Sequence, residues 1–266
     1  MKKRVISAIV MAAIFIPILL IGGNIFILFA TVLGVLGLYE LIKAREQKRK
    51  FPVIVKIFGF LLTGLMICNN NLNIDFIKEI DYRYLSLIIF LFLIPMIFGH
   101  NNEKYNFEDA IYLIFSSLFM GITFNLITTI READIMYVIY LLLITTMTDT
   151  FALFTGMLVG NHKLAPSISP KKTIEGFFGG TFIGTIVAAS FYVTVINPEV
   201  ARLSIVGVTC LLSVIGQFGD LVFSMIKRNY KVKDFSNLIP GHGGILDRLD
   251  SLIFVILAFV LMFNFI

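Results

Sequence analysis

Charge is what this sequence has least of. Only 15% of its 266 residues are Asp, Glu, Lys or Arg and 58% are hydrophobic, where an average soluble domain has about 25% and about 45–50%. That balance excludes a soluble globular domain and points to an integral membrane protein. Cysteine is nearly absent as well. Cys68 and Cys210 lie in apolar runs without CxxC spacing, which excludes a disulfide framework or thiolate metal centre and leaves both as small buried apolar residues. The formal charge of +5 would suit nucleic acid, but no soluble basic domain exists to bind it. The bases fall between apolar runs, where anionic lipid or an anionic substrate is the fitting partner. A small-residue cleavage site is missing too: Lys2, Lys3 and Arg4 precede an apolar run from Val5, and Ile21, Gly22 and Gly23 lead straight into the next one. The first segment therefore reads as an uncleaved span. No internal repeat of the transporter kind is visible.

What the sequence has in quantity is long apolar runs. A bilayer span needs about 20 predominantly apolar residues, and the runs fall at 5–21, 25–42, 53–68, 84–98, 110–130, 135–159, 177–197, 203–226 and 251–266. The expected fold is thus all-α, a polytopic integral membrane protein with about nine transmembrane helices. Orientation follows from Lys and Arg, which collect on cytoplasmic loops. With a cytoplasmic N-terminus the inner segments are 1–4, 43–52, 99–109, 160–176 and 227–250, and the outer side keeps only Lys78, Arg83, Arg131 and Arg202. Residues 1–266 read as a single membrane domain: generic N-terminal helices over 1–130, then a C-terminal catalytic region over 131–266 carrying cytoplasmic loops 160–176 and 227–250. Asn69–Arg83 reads as a short amphipathic stretch at the outer surface, and the basic KAREQKRK run (Lys43–Lys50) as a topology anchor. His100 and His162 are single loop histidines without an assigned role.

Ionisable residues inside the apolar runs are costly and face a partner or a water-filled cavity. Asp149 and Asp220 are two such residues. On a helix Asp220, Ser224 and Lys227 share one face, at i, i+4 and i+7. Asp247 and Asp250 share a face at the start of the last helix, where they repel each other unless a cation neutralises them or they cap that helix. Hard divalent cations prefer carboxylate oxygen, so Asp149, Asp220, Asp247 and Asp250 are the candidate ligands of a magnesium ion. The glycine run PGHGG (Pro240–Gly244) cannot be helical, and Gly243 and Gly244 let backbone amides approach an anion. Around it stand Lys227, Arg228, Lys231, Lys233 and Arg248. Carboxylates for a metal, bases and open amides are the components of a phosphoryl or nucleotidyl transfer site. His242 binds phosphate, gives a proton to a leaving oxygen, or braces its loop; sequence leaves all three open. The loop of 160–176 adds Lys163, Lys171 and Lys172 with Ser167, Ser169 and Thr173. Pro166 and Pro170 enforce an extended path before a helix start near Thr173, whose free amides would attract phosphate.

The stretch from Ser224 to Asp250, read as SxIKRxxxxKDxSxxIPxHGGIxDRLD, resembles the signature of the phosphatidate cytidylyltransferase family, also called CDP-diglyceride synthetases. The Gly219–Asp220 pair, SPKKTIEG (Ser169–Gly176) and Asp149–Thr150 are similar to family features too, so the resemblance covers roughly residues 145–251. It implies a reaction of CTP with phosphatidate giving CDP-diacylglycerol and diphosphate, with Mg2+ and a second, monovalent cation such as K+. It implies an enzyme of phospholipid biosynthesis in the inner (plasma) membrane, its active site facing the cytoplasm, with membrane lipids and a second copy of the chain as partners. Phe223 stands where some relatives carry a glutamate. The expected roles are catalysis for Asp220, Asp247, Lys227, Arg228, Lys233 and His242. Substrate binding falls to Ser169, Lys171, Lys172, Thr173, Ser224, Gly243, Gly244 and Arg248. The lipid phosphate is itself the nucleophile, so no serine or cysteine nucleophile is needed.

Three other functions compete with that one. A CDP-alcohol phosphatidyltransferase would carry a DG dipeptide, which this sequence lacks altogether. A cation-coupled transporter would use Asp149 and Asp220 as a path but leaves the dense cytoplasmic loops unexplained. A CTP-dependent lipid-alcohol kinase is told apart by its products, free CDP and a phosphorylated lipid.

Overall fold

The structure, a computed structural model, describes residues 2–68, 82–99 and 105–263. Within them each apolar run becomes a helix, since in hydrocarbon every backbone polar group must be satisfied inside its own segment. The helices are α1 (Lys2–Ile21), α2 (Gly23–Arg45), α3 (Val53–Cys68), α4 (Tyr82–Gly99), α5 (Phe107–Ala133), α6 (Ile135–Val159), α7 (Ile174–Phe191), α8 (Arg202–Asn229) and α9 (Leu246–Met262). Among the described residues five helices are long and apolar enough to cross a membrane: α2, α5, α6, α7 with its π-helical extension Tyr192–Ile196, and α8. Val5–Ile21, Val53–Cys68 and Leu85–Phe98 are apolar but shorter. The chain is a predominantly helical membrane protein. The expected amphipathic stretch at 69–83 lies almost wholly outside the described residues, as does His100. Neither cysteine is buried as expected: Cys68 is exposed at the end of α3, its sulfur 3.3 Å from the Thr31 hydroxyl, and Cys210 is half-buried.

The chain divides into two compact units. The first comprises Met1–Ala133 with Val232–Leu246. Glycines on its helices let partners approach: a Cβ at Gly34 of α2 would lie 2.5 Å from Ile67 of α3, and one at Gly121 of α5 would lie 2.6 Å from the Met66 sulfur. Small residues of this kind are what brings membrane helices together, because lipid supplies no hydrophobic driving force between them. At one end Arg45 and Arg49 donate to Asp109 at 2.8 and 3.2 Å, and Asp109 is fully buried. Asp109 and Asn106 also exchange side-chain and backbone hydrogen bonds, a reciprocal cap on α5. Arg131 ties α5 to the C-terminus of α1, donating to the Leu19 and Leu20 carbonyls at 2.7 and 3.1 Å; a cation there offsets the orphan carbonyls and the helix dipole.

The second unit comprises Asp134–Lys231 with Asp247–Ile266. Helices α6 and α7 pack backbone to backbone along a row of glycines: a Cβ at Gly180 would lie 2.5 Å from the Thr148 carbonyl, and one at Gly176 2.6 Å from the Ala152 carbonyl. Polar side chains then join α6 and α7 to α8. Tyr140 pairs with Thr209 at 2.7 Å, Thr148 with Ser213 at 2.7 Å, and Gln217 donates to Thr181 at 2.8 Å. Between α6 and α7 the all-α expectation misses an antiparallel hairpin, β1 (Lys163–Ala165) and β2 (Ser169–Thr173), in register Lys163 with Thr173 and Ala165 with Ser169. Its physical cause is the one read from sequence: Pro166 and Pro170 hold the chain extended, and a two-stranded ribbon leaves enough free edge to tolerate Pro170.

Candidate active site

Helix α8 sets the centre of the site in the second unit. Asp220 and Ser224, one turn apart, are joined by a hydrogen bond from the Ser224 hydroxyl to Asp220 Oδ1 at 3.2 Å. Lys227, one turn further, reaches Asp247 of α9 at 2.7 Å. The single polar stripe expected from the i, i+4, i+7 spacing is therefore present. Lys172, from β2, closes on the other Asp220 oxygen at 2.5 Å. Arg228 donates to the Ile168 carbonyl in the hairpin turn at 3.3 Å, so the end of α8 and the hairpin are held together twice.

Close helix packing brings the remaining carboxylates in. A Cβ at Gly219 would stand 2.8 Å from Phe254 Cβ and 2.9 Å from the Asp250 carbonyl, so only glycine lets α9 lie so near to α8. Asp250 consequently lies within electrostatic reach of both Asp220 and Lys227, and Asp149 within reach of Asp220, Asp250 and Lys172. Asp149 also lines a narrow space shared with Thr145, Thr148, Ser213, Gln217 and Ser251. Four aspartates and two lysines, drawn from α6, β2, α8 and α9, thus form one charged cluster. Its members differ in access, the Asp247 side chain being 4% exposed and Asp149 open, and the neighbouring Lys171, Arg228 and Arg248 are exposed.

As metal ligands the aspartates have the right chemistry, hard anionic oxygen. They do not form a closed cage: among the described residues no three His, Cys, Asp or Glu side chains stand close enough to share an ion. Magnesium is usually held by one or two carboxylates and by substrate phosphates rather than by an all-protein cage, so an open set of this kind fits it.

The helix start at Thr173 is where the sequence puts it. Thr173 caps α7 by accepting from the Gly176 amide at 3.1 Å, and the Ile174 amide donates to the His162 carbonyl at 2.9 Å. Both amides are occupied, and Glu175 places an acid in the first turn, so the free phosphate-binding amides expected there are reduced. His162, given no role from sequence, meets Glu175 through its backbone amide at 3.1 Å and its ring at 2.6 Å, closing the base of the hairpin.

In the first unit, the loop Val232–Leu246 carries Lys233, His242, Gly243 and Gly244. The Ile239 carbonyl accepts from the amides of His242 and Gly243 at 2.9 and 3.1 Å, and the Ile239 amide donates to the Gly243 carbonyl at 2.9 Å. This tight turn needs φ of +79° at Gly241 and +92° at Gly243, which side chains disfavour. The next amides are also engaged: those of Ile245 and Leu246 donate to Glu40 of α2 at 2.9 and 2.8 Å. Four amides in and just after PGHGG, those of His242, Gly243, Ile245 and Leu246, are satisfied inside the protein, which leaves fewer open to an anion than expected. His242 Nδ1 lies 2.7 Å from the Ser7 hydroxyl, so its loop is braced through the ring.

Glu40 is the residue that sequence reasoning passed over. It is fully buried, and besides the two amides it accepts from the Ser236 hydroxyl at 2.5 Å. The signal was present: Glu40 is an acid within the apolar run of α2, as out of place there as Asp149 in α6.

The fold is that of a helical membrane protein, and the family pattern makes it an enzyme, a nucleotidyltransferase. The chain belongs to the cytidylyltransferase family, whose pattern matches residues 2–266. Among curated proteins it is 38% identical over 258 residues to a phosphatidate cytidylyltransferase of Staphylococcus aureus and likewise 38% to that of Staphylococcus haemolyticus, covering 96% of each chain. The phosphatidate cytidylyltransferase of Staphylococcus saprophyticus is 35% identical over 257 residues, again 96% of both chains.

Proposed function

We propose that this chain is a phosphatidate cytidylyltransferase: it transfers the cytidylyl group of CTP to phosphatidate, giving CDP-diacylglycerol and diphosphate for phospholipid synthesis. The observation that carries the reading is the cluster of four aspartates and two lysines on α6, β2, α8 and α9, in a chain of the cytidylyltransferase family along its whole described length.

The phosphate oxygen of phosphatidate attacks the α-phosphorus of CTP in line, and the bond to the β-phosphate oxygen breaks as diphosphate leaves. Little covalent chemistry falls to the protein, so the work is positioning and charge neutralisation. Lys172 and Lys227 hold Asp220 and Asp247 in place. Arg228, Lys171 and Arg248 present cations to the phosphates, and His242 braces its own loop through Ser7. Magnesium would be held by one or two of Asp220, Asp149, Asp247 and Asp250 together with substrate phosphates, and would supply neutralisation of charge developing on the phosphate oxygens; a monovalent cation is its expected companion. The hairpin and the loop before α9 face the cytoplasm, the N-terminus is cytoplasmic, and the lipid enters sideways from the inner leaflet of the plasma membrane.

Labelled CTP, phosphatidate and Mg2+ given to the purified protein should yield cytidine-labelled lipid and diphosphate, with EDTA abolishing turnover. Asp220→Asn and Asp247→Asn should each lose most activity. Free CDP with a phosphorylated lipid would instead establish a kinase and overturn the assignment.

A further inference from the structure

Between Ser236 and Leu246 the loop makes one arrangement that its chemistry does not require: it is folded around the carboxylate of Glu40. Three donors converge on that group, the Ser236 hydroxyl at 2.5 Å, the Ile245 amide at 2.9 Å and the Leu246 amide at 2.8 Å. The two amides are those at the N-terminus of α9, orphan donors of a helix start that its own acids do not satisfy. Asp250 accepts instead from the Ser251 amide at 2.8 Å and Asp247 from Lys227. The glycine of the motif is explained in the same place. A Cβ at Gly244 would lie 2.5 and 2.6 Å from the two Glu40 oxygens, so residue 244 is glycine because the carboxylate fills the space where a side chain would begin. Gly37, one turn before Glu40 and on the same face of α2, leaves room for the Leu246 side chain, 3.2 Å from where its own Cβ would stand. α2 thus holds Leu246 twice, by its amide and by its side chain.

We infer that Glu40 is a positioning residue of the transfer reaction: it holds Ser236, Ile245 and Leu246 and so fixes the point from which Asp247 and Arg248 follow. The inference rests on the proposed cytidylyltransferase reading. Leu246 and Asp247 are consecutive, so slack at the first is passed to the second through a single peptide unit. A carboxylate offers enough lone pairs for three donors, whereas an amide side chain turns one end into a donor facing donors. Glu40→Gln therefore leaves the volume unchanged and breaks the clamp. A displacement of about 1 Å at a group that positions substrate costs about a hundredfold in rate. Turnover should fall because alignment in the transition state is lost, while ground-state affinity for CTP is kept.

The test uses the full-length detergent-solubilised chain with Glu40→Gln, Glu40→Asp and Ser236→Ala. Amide hydrogen exchange at Ile245 and Leu246 should be slow in the wild type and at least about tenfold faster in Glu40→Gln, with kcat lowered at least about tenfold and KM for CTP within about twofold. Ser236→Ala, which leaves both amide bonds, should lose less in both measurements, and Glu40→Asp should recover part of kcat relative to Gln. Wild-type kcat in Glu40→Gln, an unchanged exchange rate at residues 245 and 246, or a rise in KM with kcat preserved would each overturn the inference. Should Glu40→Gln not fold, fast exchange at these two amides in the wild type, or a Ser236→Ala loss carried entirely by KM, would overturn it. If the wild type turned over no CTP with phosphatidate, the parent reading would fall, and hydrogen exchange alone would still judge the clamp.

Discussion

Lys227 and Asp247 provide the sharpest separation of stability from catalysis. Their side chains are 10% and 4% exposed and meet at 2.7 Å. Removing one member of such a pair takes away the nearest opposite charge from the other in a poorly solvated place, which costs about 3–5 kcal/mol, whereas replacing both by neutral groups of similar size is close to neutral. Lys227→Met and Asp247→Asn should therefore each lower the unfolding free energy by about that amount, and the double variant should recover most of it, a coupling of about 4 kcal/mol or more. Turnover should behave differently. If Asp247 serves the metal and Lys227 holds it in place, the double variant is stable and inactive, with activity at least about a hundredfold down. Denaturant titration of the detergent-solubilised protein beside a CTP turnover assay measures both. Single variants as stable as wild type would refute the burial argument, and a double variant with wild-type turnover would refute the assignment of both residues to the chemistry.

Other changes test separate parts of the structure. Gly219→Leu should force α8 and α9 apart, because the obstacles at 2.8 and 2.9 Å are a neighbouring Cβ and a backbone carbonyl; overpacking of this kind costs about 1–3 kcal/mol, and turnover should fall further than stability. Thr173→Ala removes the cap on Gly176 at the start of α7 and should cost about 1 kcal/mol in an unfolding titration. Asp109→Asn should destabilise by about 3 kcal/mol or more, since Arg45 and Arg49 both depend on that fully buried carboxylate, while the ratio of kcat to KM stays near wild type.

Much of the molecule could be read one residue type at a time. Within the described residues all nine apolar runs reappear as helices, since hydrocarbon length and backbone hydrogen bonding leave a membrane chain little other choice. The spacing of Asp220, Ser224 and Lys227 announced their common stripe because helical periodicity is a local property. Thr173 announced the start of α7 for the same reason. The partners of these groups were not local. Lys172 meeting Asp220, and Lys227 taking Asp247 rather than leaving it to face Asp250, depend on elements 48 and 20 residues away in the chain. The hairpin was half legible: prolines declared an extended path, but the pairing of Lys163 with Thr173 is a tertiary decision.

PGHGG marks the boundary most clearly. Composition and periodicity alone determined that a loop rich in glycine and base would interrupt the apolar chain just before α9, because these residues can neither form helix nor enter lipid. Only the tertiary structure decided what its amides face. A carboxylate on α2, some 200 residues earlier, supplies the acceptor, because a buried acid and unsatisfied amides each lower the cost of the other. Local pattern carries no record of such a pairing, since it exists only once the chain has brought Glu40 and Leu246 together.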